Sequence, residues 1–345
     1  MQLKEFDFEL PEELIAQQPA AQRDASRLMC LQRQTGRIEC RQFVDLPEYF
    51  QAGDLLILND TQVIPARLLG QKETGGKIEI FLVRRDMQVA DAEEWLCLTK
   101  SSRAPRPGTK VLLGDQLRAE VLEEAEPPYR RVRFDCDGDF MQLVEQLGHL
   151  PLPPYIKRED GRDDRSRYQT VFASQKGAVA APTAWLHFTE QTLDQLRTLE
   201  VDIHSVTLHV GLGTFLPVRV EDVTRHKMHT EVYHVPQTTA DAVNRARSEG
   251  RRVVALGTTS ARTLETAVNA DGQLLSGWGE SAIFIYPGYR FKLVDALVTN
   301  FHLPKSTLLM LVSAFAGREF VLAAYRKAVE ERFRFFSYGD CMLIY

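Results

Sequence analysis

The 345-residue chain has few cysteines, no long apolar run and no excess of basic charge. Its five cysteines are odd in number and form no CxxC pair, which argues against a zinc ribbon or a disulfide framework. The longest apolar run, residues 308–316, is interrupted by Ser313 and is far shorter than the roughly 20 residues of a membrane span. The N-terminus has no apolar core of signal-peptide length. These absences predict a soluble, cytoplasmic protein that does not enter a membrane.

The charge balance is slightly acidic, with 42 lysines and arginines against 47 aspartates and glutamates and a formal net charge of −5. This balance excludes a basic protein that wraps nucleic acid over its whole surface, although a local basic patch is still allowed. Hydrophobic residues make up 44% of the chain, which indicates a globular protein with a sizeable core. The length predicts about two domains, at roughly 150 residues per domain.

The hydrophobic period changes along the chain. Between residues 54 and 134 the apolar segments are short and are separated by Gly and Pro, which is typical of a small barrel or sandwich. From about residue 188, helical and strand-like segments alternate, with strands expected at 253–256 and 283–285. The predicted fold class is therefore α/β, a layered α/β/α domain with a mixed sheet plus an inserted small β-barrel domain. We assign residues 1–65 and 150–345 to the first domain and residues 66–149 to the barrel.

Four polar segments follow predicted strands or lie near their ends. The first, HVGLGTF from His209, resembles half of a dinucleotide-binding fingerprint, but Leu216 and Pro217 occupy positions where that motif needs a glycine and a helix. Two interpretations of the glycines remain. They allow either a tight turn at the end of the strand or the close approach of a ligand to the backbone. The second, GTTSAR from Gly257, joins a strand to a helix. Free N–H groups, hydroxyls and Arg262 suit a polar or anionic ligand there, although plain helix capping also explains the threonines.

The third and fourth segments, residues 181–188 and 298–304, each place a histidine beside aromatic residues, at His187 and His302. A lone histidine is more often structural than catalytic, yet its titration range makes it the default general base. Ligands of open α/β sheets bind outside the carboxyl ends of the strands. Four such segments at one sheet edge would therefore form a polar ligand crevice.

Two further patterns concern metals and nucleic acid. The HxxHxE pattern at residues 226–231 lacks the histidine spacing of a zincin and has no further ligand in place, so we predict no metal site.

Four basic residues and no acidic residue lie within 100–110, at Lys100, Arg103, Arg106 and Lys110. This segment is either a solvated loop or a contact for a phosphate backbone.

In order along the chain, these segments and others resemble one family, the S-adenosylmethionine:tRNA ribosyltransferase-isomerases of queuosine biosynthesis. The resemblance runs nearly end to end, through residues 6–19, 53–68, 151–158, 167–188, 207–218, 228–231, 257–265, 286–291, 297–317 and 334–340. One departure is Trp185, where the family pattern has a glycine. Its large ring would narrow the pocket if it lined one and would be harmless if it faced outward.

The resemblance implies a layered α/β domain that carries a β-barrel, and it implies a specific reaction. The family transfers and isomerises the ribosyl part of S-adenosylmethionine onto 7-aminomethyl-7-deazaguanine at the tRNA wobble position, giving epoxyqueuosine with release of adenine and methionine. S-adenosylmethionine is consumed as the ribosyl donor, so no cofactor is expected. The reaction begins with proton loss from the ribose carbon beside the sulfonium. It therefore needs a base, an acid for adenine and a site that excludes water.

With this reaction in view, we expect His209 or His187 to be the base, with His302 as the third choice. The expected substrate-binding residues are Thr183, Gly211, Gly213, Thr214, Gly257, Thr258, Thr259, Arg262, Asn300 and Asp340. The expected tRNA-binding residues are Lys100, Arg103, Arg106, Lys110, Tyr155 and Arg158. We expect a monomer. Two alternatives stay open: an S-adenosylmethionine-dependent methyltransferase, against which Pro217 argues, and a non-catalytic tRNA-binding module built on the barrel.

Overall fold

The computed structural model describes residues 1–85, 93–125, 127–181, 183–211 and 218–345, and within these it contains one large sheet, one closed barrel and a two-stranded ribbon. The strands are β1 Arg27–Gln32, β2 Arg37–Gln42, β3 Leu55–Asn59, β4 Thr61–Val63, β5 Arg67–Lys72, β6 Lys77–Arg85, β7 Glu93–Ser101, β8 Lys110–Leu112, β9 Leu117–Glu124, β10 Arg130–Cys136, β11 Gln175–Ala178, β12 Asp202–Leu208, β13 Glu231–Val235, β14 Val253–Leu256, β15 Gly277–Ser281, β16 Ala296–Asn300 and β17 Cys341–Ile344. The helices are α1 Phe140–Leu147, α2 Arg162–Arg167, α3 Glu190–Thr198, α4 Gln237–Ser248, α5 Gly257–Ala267, α6 Thr307–Ala316 and α7 Arg318–Glu330.

The large sheet has nine strands in the order β15-β13-β12-β3-β14-β16-β17-β1-β2. Its central strands β12, β3, β14 and β16 are parallel to one another, whereas β13 and β17 pair with them antiparallel. Parallel neighbours end at the same edge, so Leu208, Asn59, Leu256 and Asn300 mark one carboxyl edge of the sheet. Three of the polar segments, which begin at His209, Gly257 and Val298, therefore start along this edge. The segment at 181–188 follows β11 of the ribbon instead, and its Trp185 packs against Gly257.

Helices cover both faces of this sheet. Successive side chains of a strand point to opposite faces. In β3, Leu55 and Ile57 join a core cluster with α4, α5, α6 and α7, while Leu56 and Leu58 join a second cluster with α3. A run of apolar residues such as LLIL is typical of a strand buried on both sides. The predicted α/β/α layering with a mixed sheet is confirmed.

The barrel is closed in the order β10-β7-β6-β5-β8-β9, with every neighbouring pair antiparallel. It has its own core, to which α1 contributes Phe140, Leu143 and Val144. Asp139 begins α1 because its side chain accepts the N–H of Gln142 at 2.8 Å. The predicted barrel is confirmed, and its strands and α1 lie within residues 66–149. The domain boundaries themselves stay a prediction.

The local sequence pattern predicted some strands of the sheet wrongly and others not at all. The strand expected at 283–285 is wrong, because the strand here is β15, which pairs with β13. Strand β15 contains two glycines, which weaken its strand signal in the sequence. Gly279 is required because a Cβ there would lie 2.5 Å from the Tyr233 ring. Strands β1, β2 and β17 were not identified, because they depend on pairing between the two ends of the chain.

Among the described residues, no single helix is long and apolar enough to cross a bilayer, and α6 and α7 pass that test only as a pair bent by 116°. No group of three or more His, Cys, Asp or Glu side chains in the same part of the chain could hold a metal ion. The five cysteines are all free thiols, and Cys30, Cys97 and Cys341 are buried.

Asp164 anchors the segment that returns from the barrel to the sheet. Its buried carboxylate accepts hydrogen bonds from both terminal nitrogens of Arg158, at 2.6 and 2.8 Å, and from the Tyr338 hydroxyl at 2.7 Å. Burial opposes ionisation of this group. The bonds from Arg158, the Gly161 N–H and Tyr338 outweigh that effect and lower the pKa of Asp164 to about 2. The ionised carboxylate is therefore part of the folded structure.

We expect Asp164→Asn to lower the free energy of unfolding at pH 7 by about 2 kcal/mol, because it removes charge-assisted hydrogen bonds at a buried site. The pKa in the folded state lies below the ordinary value of 3.8, so this contribution is fully present above that value and is lost as the pH falls toward about 2. Urea unfolding of both proteins at pH 7 and pH 3 measures the difference. The matched control is Asp163→Asn on the exposed side of α2. An equal loss in the control, or a gap that does not shrink at pH 3, contradicts the prediction.

Candidate active site

A large cleft lies between the barrel and the β12 end of the sheet's carboxyl edge. Its volume is about 1170 Å³. The barrel contributes Arg84 and Trp95 to its wall, and the sheet side contributes His209, Gly211 and Glu231. Pockets for small ligands usually measure about 300–1,000 Å³, so this cleft has room for a small molecule and part of a second substrate.

His209 follows β12 directly and lies in the wall of this cleft. Its Nδ1 is 2.8 Å from the Thr61 hydroxyl oxygen. The Thr61 hydroxyl is directed at the Gln175 carbonyl oxygen, 3.5 Å away, so its oxygen is free to accept the Nδ1 proton. Burial lowers the pKa of His209 below its ordinary value, against the opposing effect of Asp60. A neutral imidazole with an unprotonated Nε2 is the form that acts as a general base.

Gly177 makes space for the His209 ring. A Cβ at this position would lie 2.9–3.1 Å from three ring atoms of the histidine, and the backbone has φ +148°, which disfavours other residues. Gly177 lies on β11, which pairs with the Thr61 strand β4. The sequence carried no signal for this contact because the two residues meet only through strand pairing.

A buried ion pair holds Gly211, which lies three residues after the end of β12. Arg262 is 2% exposed and Glu231 is 5% exposed, and Arg262 Nη2 lies 2.6 Å from Glu231 Oε2. This contact is an ion pair, and neither of the two atoms has a hydrogen-bond partner among the described residues. Glu231 Oε1 accepts the N–H of Gly211 at 3.0 Å. Arg262 thus acts on Gly211 through Glu231. In the sequence, Glu231 has no role beyond the HxxHxE pattern, for which we predict no metal.

We expect Arg262→Met to lower the free energy of unfolding by about 3 kcal/mol, because Glu231 then keeps a buried charge without a counterion. Glu231→Gln should also destabilise the protein. The double variant should lose less than the sum of the two single losses, since no unpaired charge remains. Urea unfolding of the four proteins completes the cycle. Additive losses would show that the two side chains are not coupled.

His187 and His302 lie farther along the same sheet edge. The Nδ1 of His187 is 2.8 Å from the Ser26 hydroxyl, and burial lowers the pKa of this histidine to about 4. His302 is buried with its Nε2 3.2 Å from the Thr299 hydroxyl, and burial lowers its pKa to about 3. Strand β16 is three positions from β12, or about 14 Å at roughly 4.8 Å per strand. One substrate atom could not contact all three histidines.

Asn300 and Asp340 hold the C-terminal segment. The Asn300 side-chain amide donates to the Phe336 carbonyl oxygen at 2.9 Å. The buried Asp340 carboxylate accepts the backbone N–H groups of Arg27 and Arg334 at 2.9 and 2.8 Å. The Asn300 nitrogen and both Asp340 oxygens thus have partners within the fold, whereas the buried Asn300 Oδ1 faces no hydrogen-bond partner among the described residues.

The other predicted substrate-binding residues lie near the start of α5 or outside the described residues. Gly257 begins α5 with φ +85°, and Thr258 and Thr259 are buried beside it. Thr183 begins a 3-10 turn, Thr183–Trp185, and is half-buried. Gly213 and Thr214 lie outside the described residues. Gly211 and, through Glu231, Arg262 are thus the predicted binding residues that the structure brings to the cleft.

Trp185 neither faces solvent nor lines this cleft. It is 0% exposed, and its ring centroid lies 4.3 Å from that of Phe172. A Cβ on Gly257 would be 3.0 Å from its Nε1, so the indole packs tightly against the start of α5. The sequence offered two positions for the ring, in the pocket wall or facing outward. The structure has neither, because the ring is buried in the core.

The predicted basic segment is exposed but distant from the cleft. Lys100, Arg103, Arg106 and Lys110 all face solvent. Lys100 lies five residues farther along β7 than Trp95, which lines the cleft, and this corresponds to about 17 Å. The cleft has basic residues of its own, which sequence clustering did not find: Arg84, Arg85, Arg131 and Lys176.

The remaining two predicted tRNA contacts have partners inside the fold. The Tyr155 hydroxyl is hydrogen-bonded to Ser337, and its ring packs edge-on against Phe336 at 4.0 Å. Arg158 is engaged by Asp164, as described above. Both side chains are only half-buried, and they serve the packing of the returning segment.

Comparison with known proteins places this fold in a family. Residues 3–344 match the family model of the queuosine biosynthesis protein. The S-adenosylmethionine:tRNA ribosyltransferase-isomerases of Syntrophotalea carbinolica and Geobacter sulfurreducens are 63% and 58% identical, over 100% of both chains in each case. The crystal structure of the S-adenosylmethionine tRNA ribosyltransferase from Thermotoga maritima covers 99% of this chain and 100% of its own, with 40% identity and a TM-score of 0.57. The chain belongs to the queuosine biosynthesis family and is a transferase-isomerase of that family.

Proposed function

We propose that this chain transfers and isomerises the ribosyl part of S-adenosylmethionine onto 7-aminomethyl-7-deazaguanine at the tRNA wobble position. The products are epoxyqueuosine-tRNA, adenine and methionine, and S-adenosylmethionine is a substrate rather than a cofactor. The observation that carries the proposal is the cleft between the barrel and the sheet edge, which His209 and Gly211 line and which has room for S-adenosylmethionine and part of the RNA. The near end-to-end likeness to named relatives supports the same reaction.

His209 is the proposed base. Its Nε2 accepts the proton from the ribose carbon beside the sulfonium, whose positive charge stabilises the carbanion. Adenine then leaves, the amine of the RNA base attacks the ribosyl carbon, and ring closure expels methionine. The Nδ1 contact with Thr61 keeps the ring in the tautomer that can accept this proton.

The surroundings of His209 suit a reactive carbanion. Apolar side chains of Ile64, Val83, Trp95 and Phe140 line much of the cleft wall and limit the access of water. The Gly211 N–H donates to Glu231, which fixes the backbone of Gly211 in the cleft wall. A glycine backbone lets a substrate approach more closely than any side chain would allow.

Mass spectrometry of a reaction with S-adenosylmethionine and tRNA bearing 7-aminomethyl-7-deazaguanine tests the proposal. We expect adenine, methionine and a nucleoside that carries an epoxycyclopentane. S-adenosylhomocysteine in place of adenine and methionine would instead indicate methyl transfer. Tight tRNA binding without turnover would indicate a binding module, and either of these results overturns the proposed function.

A further inference from the structure

An exposed aromatic pair lies at the rim of the cleft. Trp278 on β15 is 68% exposed and lines the cleft. It lies directly opposite His234 on β13, and the two rings stack with centroids 4.6 Å apart and planes 29° apart. His234 covers one face of the indole, so the exposed surface of Trp278 consists chiefly of its other face and edge.

The stability of the sheet does not account for this exposure. The other two tryptophans are buried, Trp95 at 6% and Trp185 at 0% exposed. A single cross-strand pair contributes little to the stability of a sheet. Moreover, β15 is one of the two edge strands of the nine-stranded sheet, where an exposed large apolar side chain invites unwanted association. A flat, rigid ring presented at the mouth of a cleft instead suits recognition of another planar group.

Basic side chains accompany this ring. Arg84, at the end of barrel strand β6, is 54% exposed and lies 3.9 Å from Glu280, two residues beyond Trp278. Arg85 and Lys176 line the same cleft, where they pair with Glu93 and Glu145 at 2.7 and 3.1 Å. Ion pairs of exposed side chains are weak, so a phosphate can compete with these carboxylates. Cations beside an exposed aromatic ring form the combination by which proteins bind single-stranded nucleic acid, with phosphates at the cations and a base on the ring.

We propose that Trp278 is a stacking platform for an unpaired nucleotide of the RNA, next to the base that enters the cleft. The identity of the RNA as tRNA rests on the proposed function. An enzyme that acts on a base takes it out of its stack, which leaves the neighbouring bases unstacked at the mouth of the site. Every base has a π-face, so Trp278 contributes affinity and positioning rather than the choice of base.

The direct test compares Trp278→Ala and Trp278→Phe with Leu275→Ala. Leu275 is 54% exposed, precedes β15 and does not line the cleft, so it is a matched control. The probe is a fluorescently labelled anticodon stem-loop RNA, followed by anisotropy. We expect Trp278→Ala to weaken binding by about 10- to 100-fold, Trp278→Phe to keep most of the affinity, and Leu275→Ala to bind like the parent. Binding by Trp278→Ala within twofold of the parent overturns the proposal.

Two further measurements separate stacking from a general loss of structure. The KM for S-adenosylmethionine should be unchanged in Trp278→Ala, and a matching rise would overturn the stacking role. RNAs with one abasic position in the loop should reveal a site whose loss weakens the parent but not Trp278→Ala. No such position would also overturn it.

Intrinsic fluorescence gives a readout that does not depend on turnover. Because Trp95 and Trp185 are buried, acrylamide should quench chiefly Trp278. Added stem-loop RNA should protect this emission, and unchanged quenching would contradict stacking. If the parent protects Trp278 and binds RNA but yields no ribosyl-transfer product, the proposed function fails while the stacking platform stands.

Discussion

His209→Gln should lower kcat for ribosyl transfer by about 10²- to 10⁴-fold, the range over which a positioned general base contributes. The glutamine side chain retains polarity and much of the volume but cannot take a proton. The Kd for tRNA should change little, because the side chain is half-buried in the cleft wall and glutamine keeps its polarity. Single-turnover kinetics with saturating substrates measures the loss.

The pH profile of the parent gives an independent check. The active form of His209 is neutral, and burial lowers its pKa below the ordinary value of 6.5. The acidic limb of the activity profile should therefore have its midpoint below pH 6.5, because the imidazole becomes protonated only there. This acidic limb should be absent from the residual activity of His209→Gln.

The matched control is His204→Gln, which changes a partly exposed histidine on β12, the strand that precedes His209. It should retain nearly full activity and the same pH profile. Retention of more than a tenth of the parent's kcat by His209→Gln would remove His209 as the base. His187, which lies nearer the β17 and β1 end of the edge, would then be the next candidate for the base.

Trp185→Gly should lower the free energy of unfolding by about 5 kcal/mol, the upper end for truncation of a buried aromatic side chain. The indole is 0% exposed and packs on Phe172, so its removal leaves a cavity beneath the start of α5. The introduced glycine adds freedom to the unfolded chain, which increases the loss. Urea unfolding followed by circular dichroism measures the change.

Two variants make this prediction specific. Trp185→Phe should lose much less, because a ring remains and the indole Nε1 has no hydrogen-bond partner among the described residues. Trp278→Ala, at an exposed tryptophan, should cost less than about 1 kcal/mol. If Trp185→Gly were no less stable than Trp278→Ala, the indole would not support the core, and the glycine of the family pattern would be freely interchangeable with it.

Local chemistry made some elements predictable. Strand β14 is found at the predicted residues 253–256, because a short apolar run between polar segments is a signal contained in those residues. The parallel carboxyl edge also followed from the alternation of strands and helices. The role of Arg262 did not, since its partner Glu231 lies on a different strand, and only the packing of α5 brings the two together.

The sequence by itself determined the α/β class, the inserted barrel and the family, because these depend on periodicity and on motifs that are continuous along the chain. The tertiary structure decided which of three histidines faces a cleft, since sheet order places His209 beside the barrel while His187 and His302 are buried elsewhere on the edge. It also decided that Trp185 is a core residue and that Trp278 is exposed. Burial depends on which distant segments pack against a side chain, and a local pattern does not contain that information.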